Sequence, residues 1–296
     1  MRLLLDMGGT DVKAAISEDG RIVRTQSFPT AELSGSFDNL PSLLAPLLEG
    51  LGDLAAVGMA LPGVVDPNTG ELLHANDKYS YAQGFDLREW GQTAFGAPTA
   101  VENDARAALI GEVAQYEKET GSVLKDAVLV TLGTGIGTAA MLDGVAVGGS
   151  RGHAGNLGGH VTLDFYGDIC PCGNRGCAET VASTWALTHG DPRREGYAQL
   201  VAEVKTGDAE AIKVLDHSTQ AWGATIVAMC HMFDPEVVFV TGGVLRAGDL
   251  ITEPVFEYVD KHLWPSVTTP TFVIPDAPEL SVVRGLDVIA SGVQAR

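Results

Sequence analysis

Two stretches more than 100 residues apart follow one plan, and this repetition constrains the fold more than any single residue. "RLLLDM" (2–7) reads as a buried strand, "GGT" turns the chain, "DVKAAIS" runs back, and "EDG" makes a hairpin turn into "RIVRTQSF". Over residues 126–147 the order recurs as "DAVLVTL", "GTG", "IGTAAML", "DG" and "VAVG". A strand, glycine-rich turn, strand, Asp-Gly turn and strand, used twice, predicts two related lobes. At 296 residues the chain is long enough for both to bury a core.

Elsewhere strands and helices alternate, which predicts an α/β class. "LAAVGMALPGVVD" is a strand ending in a Pro-Gly turn, "FDLREWGQTAF" a short helix, and "PEVVFVTGG" a buried strand running into glycines. "REGYAQLVAEVKTG", "DAEAIKVLDHSTQAWGATIVAMCHMF" and "RGLDVIASGVQA" have helical spacing. So does "FDNLPSLLAPLLEGL", although Pro41 and Pro46 limit it.

Charge narrows the partners. With 38 acidic and 19 basic residues the formal charge is -19, and no Lys/Arg-rich run is present. Nucleic acid and anionic membranes both favour a basic patch, so neither is expected. The first apolar run is far too short for a signal-peptide core, and nothing approaches a membrane span, so the chain reads as cytoplasmic.

In a reducing compartment, clustered cysteines point to metal or redox chemistry rather than to disulfides. Three of the 4 cysteines lie in "GHVTLDFYGDICPCGNRGCAET". His160, Cys170, Cys172 and Cys177 supply one imidazole and three potential thiolates, the ligand set of a closed structural zinc site. Redox-active or merely buried cysteines are the alternative. Cys230 lies in a helical apolar pattern and is expected in the core. His74, His189, His217, His231 and His262 show no partner pattern, and the role of His153 is open.

Three glycine turns follow apolar strands: Gly8-Gly9-Thr10 after a strand bearing Asp6, Gly133-Thr134-Gly135, and Gly242-Gly243. Such turns let main-chain N–H groups approach phosphate oxygens, although any one alone is also an ordinary hairpin feature. None matches the P-loop or G-x-G-x-x-G spacing. In "VENDARAALIGEVA", a short strand delivers Asn103 and Asp104 just before a helix. Asp104 has two readings there, a helix N-cap or a general base taking a proton from an attacking hydroxyl. Arg106 reads as a surface or salt-bridge residue.

Together these residues resemble the ROK family (repressors, open reading frames and sugar kinases) of the hexokinase–actin–Hsp70 superfamily. The resemblance runs nearly end to end through "DMGGTDVK", "LPGVVD", "ENDARAA", "LGTGIG", "GHAGNLGGH", "CPCGNRGCAE" and "VTGG", in the family's order. It implies a two-lobed, actin-like (ribonuclease H-like) ATPase fold with the active site in the interlobe cleft. A small lobe, 1–105, would be completed by a C-terminal helix over 285–296, and a large lobe, 106–284, would carry the zinc loop. The activity implied is ATP-dependent phosphorylation of a sugar hydroxyl, on a hexose such as glucose or on an N-acetylhexosamine, with magnesium, structural zinc and a homodimer.

By the same resemblance Asp104 is the catalytic base, Asn103 a sugar contact, and Asp6 a residue near magnesium-bound phosphates. Gly8, Gly9, Thr10 and Lys13 form the first phosphate loop, Gly133, Thr134 and Gly135 the second, and Gly242 and Gly243 the adenosine side. Glu179 matches a sugar ligand, and His160 one that binds zinc and faces the sugar. One departure stands out: Asn156 occupies a position where family kinases commonly have Glu, and "AGNLGGH" has an extra glycine before the histidine. Asparagine offers donors and an acceptor without charge, which alters the sugar preference or weakens sugar binding. Two rivals follow from the family: a sugar-responsive regulator, disfavoured by the acidic charge and the absence of a helical domain before the first strand, and a sugar-binding protein without turnover.

Overall fold

The computed structural model describes residues 1–75 and 77–293, and these form two compact units. The first comprises residues 1–123, 148–154 and the C-terminal segment from Glu279; the second comprises 124–147 and 155–278.

In the first unit β1 (Arg2–Met7), β2 (Asp11–Glu18) and β3 (Arg21–Pro29) form an antiparallel meander. Two one-turn helices follow, α1 (Leu40–Leu43) and α2 (Ala45–Leu48). Pro41 and Pro46 sit in their first turns, where the missing N–H costs nothing, and divide what the apolar spacing reads as one helix. Strand β4 (Ala56–Leu61) pairs parallel to β1. A small hairpin of β5 (Gly63–Val65) and β6 (Leu72–Ala75) follows, then α3 (Leu87–Phe95), capped by the Asp86 side chain. Strand β7 (Thr99–Asn103) pairs parallel to β4 and gives a sheet of order β3-β2-β1-β4-β7. Helix α4 (Asp104–Thr120) begins directly at its end.

The sheet is covered on both faces, so β1 and β4 are mostly apolar on both sides rather than alternating. Leu3, Leu5, Met7, Val57, Met59 and Leu61 pack into one cluster; Leu4, Ala56 and Ala60 pack into another with Ala107, Val283 and Leu286.

The second unit repeats the plan. Strands β8 (Ala127–Leu132), β9 (Ile136–Leu142) and the two-residue β10 (Val145–Ala146) form the antiparallel part. Helices α5 (Ala178–Val181), α6 (Thr184–Gly190), α7 (Tyr197–Lys205) and the 25-residue α8 (Ala209–Phe233) lead to β11 (Val237–Thr241), parallel to β8. Helix α9 (Asp249–His262) and β12 (Thr271–Val273) complete an order β10-β9-β8-β11-β12, equivalent strand for strand to the first sheet. Trp222 and Cys230 are buried in this core, and the Trp222 indole donates to the Ala182 carbonyl. Among the described residues no helix is long and apolar enough to cross a membrane.

Helix α10 (Ser281–Ser291) returns to the first unit and lies along α4. The expected division after residue 105 therefore falls at the first turn of α4, inside that unit, and the expected closing helix ends at Ser291; residues 294–296 lie outside the described residues. Backbone contact sets this packing: a Cβ on Gly285 would collide with the Ala107 carbonyl, and one on Gly111 with that of Ser281. Gly285→Ala is expected to force the helices apart and to cost about 2 kcal/mol, read as a lower midpoint in thermal or denaturant unfolding.

Candidate functional site

Parallel pairing brings Asp6 and Asp104 to one edge of the first sheet. Asp6 aligns with Ala60 and Asn103 with Leu61, so β1 and β7 end at the same level. Asp6 is buried and faces Lys13 across the hairpin, with Nζ 3.8 Å from Oδ2. Burial pushes the Asp6 carboxyl up, and Lys13 pulls it partly back.

Of the two roles open to Asp104, the cap belongs to its neighbour: the Asn103 side chain accepts from the Arg106 N–H at 3.0 Å. Asn103 Nδ2 also donates to the Gly63 carbonyl (2.9 Å) and to Asp104 Oδ1 (3.0 Å). The Ala105 N–H donates to the same Asp104 oxygen at 2.8 Å, so both bonds orient the carboxylate through Oδ1. Asp104 retains partial exposure, yet it is packed deeply enough that burial pushes its carboxyl up to about 7. The negative charge of Asp6 adds to this, against the hydrogen bonds from Ala105 and Asn103.

Arg106 is not on the surface. It is 3% exposed, and its guanidinium donates to Glu102 Oε1 and to the Gly152 carbonyl, both at 2.8 Å. It thereby fastens the segment 148–154, including the exposed His153, to the first unit. The glycine turn Gly8-Gly9-Thr10 has its own clamp: Thr30 Oγ1 (2.7 Å) and Tyr79 OH (2.9 Å) both donate to the Gly8 carbonyl, and the Thr30 N–H donates to the Thr10 carbonyl at 2.8 Å. Neither Thr30 nor Tyr79 is distinguished by spacing, because each reaches the turn from a distant segment.

In the second unit the cysteine stretch folds on itself. The Asn174 amide donates to the His160 carbonyl and to Thr162, and Gly173 and Gly176 take positive φ values of 91° and 61°. The donor atoms of His160, Cys170, Cys172 and Cys177 all lie within 4.8 Å of one another. His160 Nδ1 is 3.6 Å from Cys170 Sγ, and Cys172 Sγ is 3.7 Å from Cys177 Sγ. A tetrahedral zinc, about 2.3 Å from sulfur and about 2.0 Å from nitrogen, requires edges of about 3.8 Å and about 3.5 Å. The four residues therefore fit that ion in donor type and in spacing, with Nδ1 as the imidazole donor and Nε2 left over.

The cysteine stretch and the second glycine turn, separate in the sequence, are joined in space. Cys177 leads into α5, and Glu179 in its first turn accepts from the Ile136 N–H at 2.9 Å. A Cβ on Gly135 would collide with that carboxylate. The N–H groups of Thr184 and Trp185 donate to the Gly133 and Thr134 carbonyls, each at 3.0 Å. The third turn joins the second: Gly242 has φ 113°, and a Cβ there would meet the Leu132 carbonyl. Near Asn156, buried Thr138 donates to the Gly155 carbonyl and accepts from the Gly158 N–H. The additional glycine packs closely too: a Cβ on Gly159 would meet the Ile136 carbonyl.

The ROK family profile matches residues 2–290. This chain belongs to the ROK family. A glucokinase of Halalkalibacterium halodurans is 30% identical over 290 residues, spanning 89% of this chain and 86% of its own. An N-acetyl-D-glucosamine kinase of Aliivibrio fischeri is 28% identical over 299 residues, spanning 95% and 96%. The crystal structure of a ROK family glucokinase from Streptomyces griseus, in complex with glucose and AMPPNP, matches with a TM-score of 0.78 at 25% identity over 98% of this chain and 100% of its own. The two five-stranded mixed sheets are those of the two-lobed, actin-like ROK fold.

Within this ROK chain the Arg106–Glu102 pair is open to a direct test. Removing the guanidinium takes away the cation that faces the largely buried Glu102 carboxylate and leaves that group the Asn103 N–H in its place. Arg106→Met is expected to destabilise by about 3 kcal/mol in denaturant unfolding, and adding Glu102→Gln is expected to recover part of that loss.

Proposed function

We propose that this chain is an ATP-dependent kinase for a sugar hydroxyl, on a hexose such as glucose or on an N-acetylhexosamine. The observation that carries the reading is Asp104: an oriented carboxylate with a pKa near 7, beside the Asp6–Lys13 pair and on the same unit as a clamped Gly-Gly-Thr turn. A base of that strength takes a proton well from a hydroxyl that becomes acidic only as its bond to phosphorus forms. In the reaction the hydroxyl oxygen attacks the γ-phosphorus, the bond to the β-phosphate oxygen breaks, ADP leaves, and the hydroxyl proton passes to Asp104.

The other residues hold and orient. Gly8, Gly9, Thr10 and Lys13, with Gly133, Thr134 and Gly135, bind phosphate oxygens; Gly242 and Gly243 give the adenosine room to approach the backbone. Asp6 would help to hold magnesium, which would supply neutralisation of charge on the transferring group. Asn103, Asn156, His160 and Glu179 contact the sugar. His160, Cys170, Cys172 and Cys177 would hold a zinc ion, which would fix the imidazole ring and leave Nε2 available to a sugar hydroxyl.

Asn156 favours a second reading, sugar binding without turnover. The two separate in one assay, magnesium- and sugar-dependent ADP release across hexoses and N-acetylhexosamines. Release with one sugar supports the kinase; sugar binding by calorimetry without release across the panel supports the other.

Two further outcomes are expected. Purified protein should contain about one zinc per chain, lost in Cys177→Ser; folded, active protein free of metal would sink the zinc assignment. The pH behaviour has opposite signs for rate and stability. As base, Asp104 must be ionised, so kcat/KM should rise with pH and level off above about 7. Its raised pKa means that the folded state holds this proton more tightly than the unfolded chain, so between about 4 and about 7 this group's contribution to stability falls as pH rises. Asp104→Asn should thus lose about 10²–10⁴ in kcat while melting higher than wild type at pH 8 but not at pH 4.

A further inference from the structure

A loop that binds phosphate through backbone N–H groups works only if those groups point the right way, and glycine is the residue least able to ensure it. The Gly8–Gly9 peptide has a glycine on each side, so no Cβ opposes its rotation. Because a trans peptide is planar, its C=O and N–H point in opposite directions. Whatever grips the Gly8 carbonyl therefore aims the Gly9 N–H.

Two hydroxyls grip it. Thr30 Oγ1 donates at 2.7 Å and Tyr79 OH at 2.9 Å, two donors on an oxygen that has two lone pairs. The Thr30 N–H holds the Thr10 carbonyl as well, which fixes the Asp11 N–H by the same geometry. We propose that Tyr79, acting with Thr30, is a positioning residue for phosphoryl transfer, holding the Gly8 carbonyl so that the Gly9 N–H faces the phosphates. The inference rests on reading Gly8-Gly9-Thr10 as a phosphate loop.

The setting of Tyr79 suits the task. Its side chain is fully buried, and its ring lies 6.3 Å from Phe37 and 6.2 Å from Tyr81; Phe37 in turn packs on Trp90 at 5.2 Å. The hydroxyl is thus delivered by a ring with little freedom. Burial keeps the phenol protonated, and with its oxygen 2.9 Å from the Gly8 carbonyl it acts as a donor. A buried Tyr hydroxyl needs a partner in any case; here the partner is the one carbonyl whose orientation governs the loop.

The test compares wild type, Tyr79→Phe, Thr30→Val, the double variant and Tyr81→Phe. Each is measured for AMPPNP binding with magnesium by calorimetry, for ATP and sugar kinetics with glucose and N-acetylglucosamine, and for thermal midpoint. Each single variant keeps one hydroxyl on the carbonyl and should lose about 5-fold in kcat/KM for ATP. The double variant, free to flip the peptide, should lose about 100-fold, more than the product of the singles. Sugar KM should stay within about twofold throughout, and Tyr81→Phe should match wild type. A double variant within about twofold of wild type toward ATP overturns the proposal. So does a fall in ATP and sugar terms together that tracks the midpoint, which marks a merely structural role. If wild type itself neither binds AMPPNP nor turns over ATP, the phosphate-loop reading fails and this inference with it.

Discussion

Parallel pairing of β1 with β4 and of β4 with β7 is the constraint on which the rest of the first unit depends. Parallel strands leave their carboxyl ends on one edge, so whatever the chain places there is brought together regardless of sequence distance. Asp6 and Asp104 are 98 residues apart in the chain, yet the charge of Asp6 acts on Asp104 because β1 and β7 stop at the same level of the sheet. The antiparallel β1–β2 hairpin adds Lys13 directly opposite Asp6. The meeting of these charged groups at one edge is therefore a property of strand order and register.

Two carboxylates so placed repel each other and resist ionisation, a cost that the fold offsets locally. Lys13 answers Asp6, and the Asn103 amide and Ala105 N–H answer Asp104. The offset is incomplete: burial first, and the charge of Asp6 second, lift Asp104 to about 7 against those hydrogen bonds. A fully compensated aspartate would be a weaker base; an uncompensated one would stay protonated at neutral pH.

The repeated strand–turn unit was legible in residues 2–28 and 126–147 because buried strands bounded by glycine turns are a local pattern, and it accounts for the three antiparallel strands of each sheet. The histidine–cysteine cluster was equally legible, since ligand chemistry shows in residue type. What escaped was decided by tertiary packing or broken periodicity. Helix α9 contains Pro254, and β12 is only three residues long, so neither carries a clear period. Arg106 looks like a surface cation until its ion pair with Glu102 and its bond to Gly152 are seen. Asn103 rather than Asp104 caps α4, a choice between adjacent competent residues that only backbone geometry makes. Thr30 and Tyr79 act on Gly8 across gaps of 22 and 71 residues, beyond any local window.

The second unit solves a different problem, presenting a side chain from a stretch with almost no core of its own. Between Val161 and Cys177 the chain is mostly turns and bends, and Phe165 and Tyr166 are exposed. Burial supplies little order to such a stretch, which leaves short hydrogen bonds and the converging His160, Cys170, Cys172 and Cys177 donors to define it. The last of those donors immediately precedes α5, so the geometry of the cluster sets where Glu179 begins, and Glu179 is tied to Ile136 at the end of the Gly133–Gly135 turn. Any shift in the cluster must therefore move either the carboxylate or the turn. A Cβ on Gly135 would have to push the Glu179 carboxylate aside, and that closeness is the physical reason that a cysteine motif and a glycine motif more than 30 residues apart meet in space.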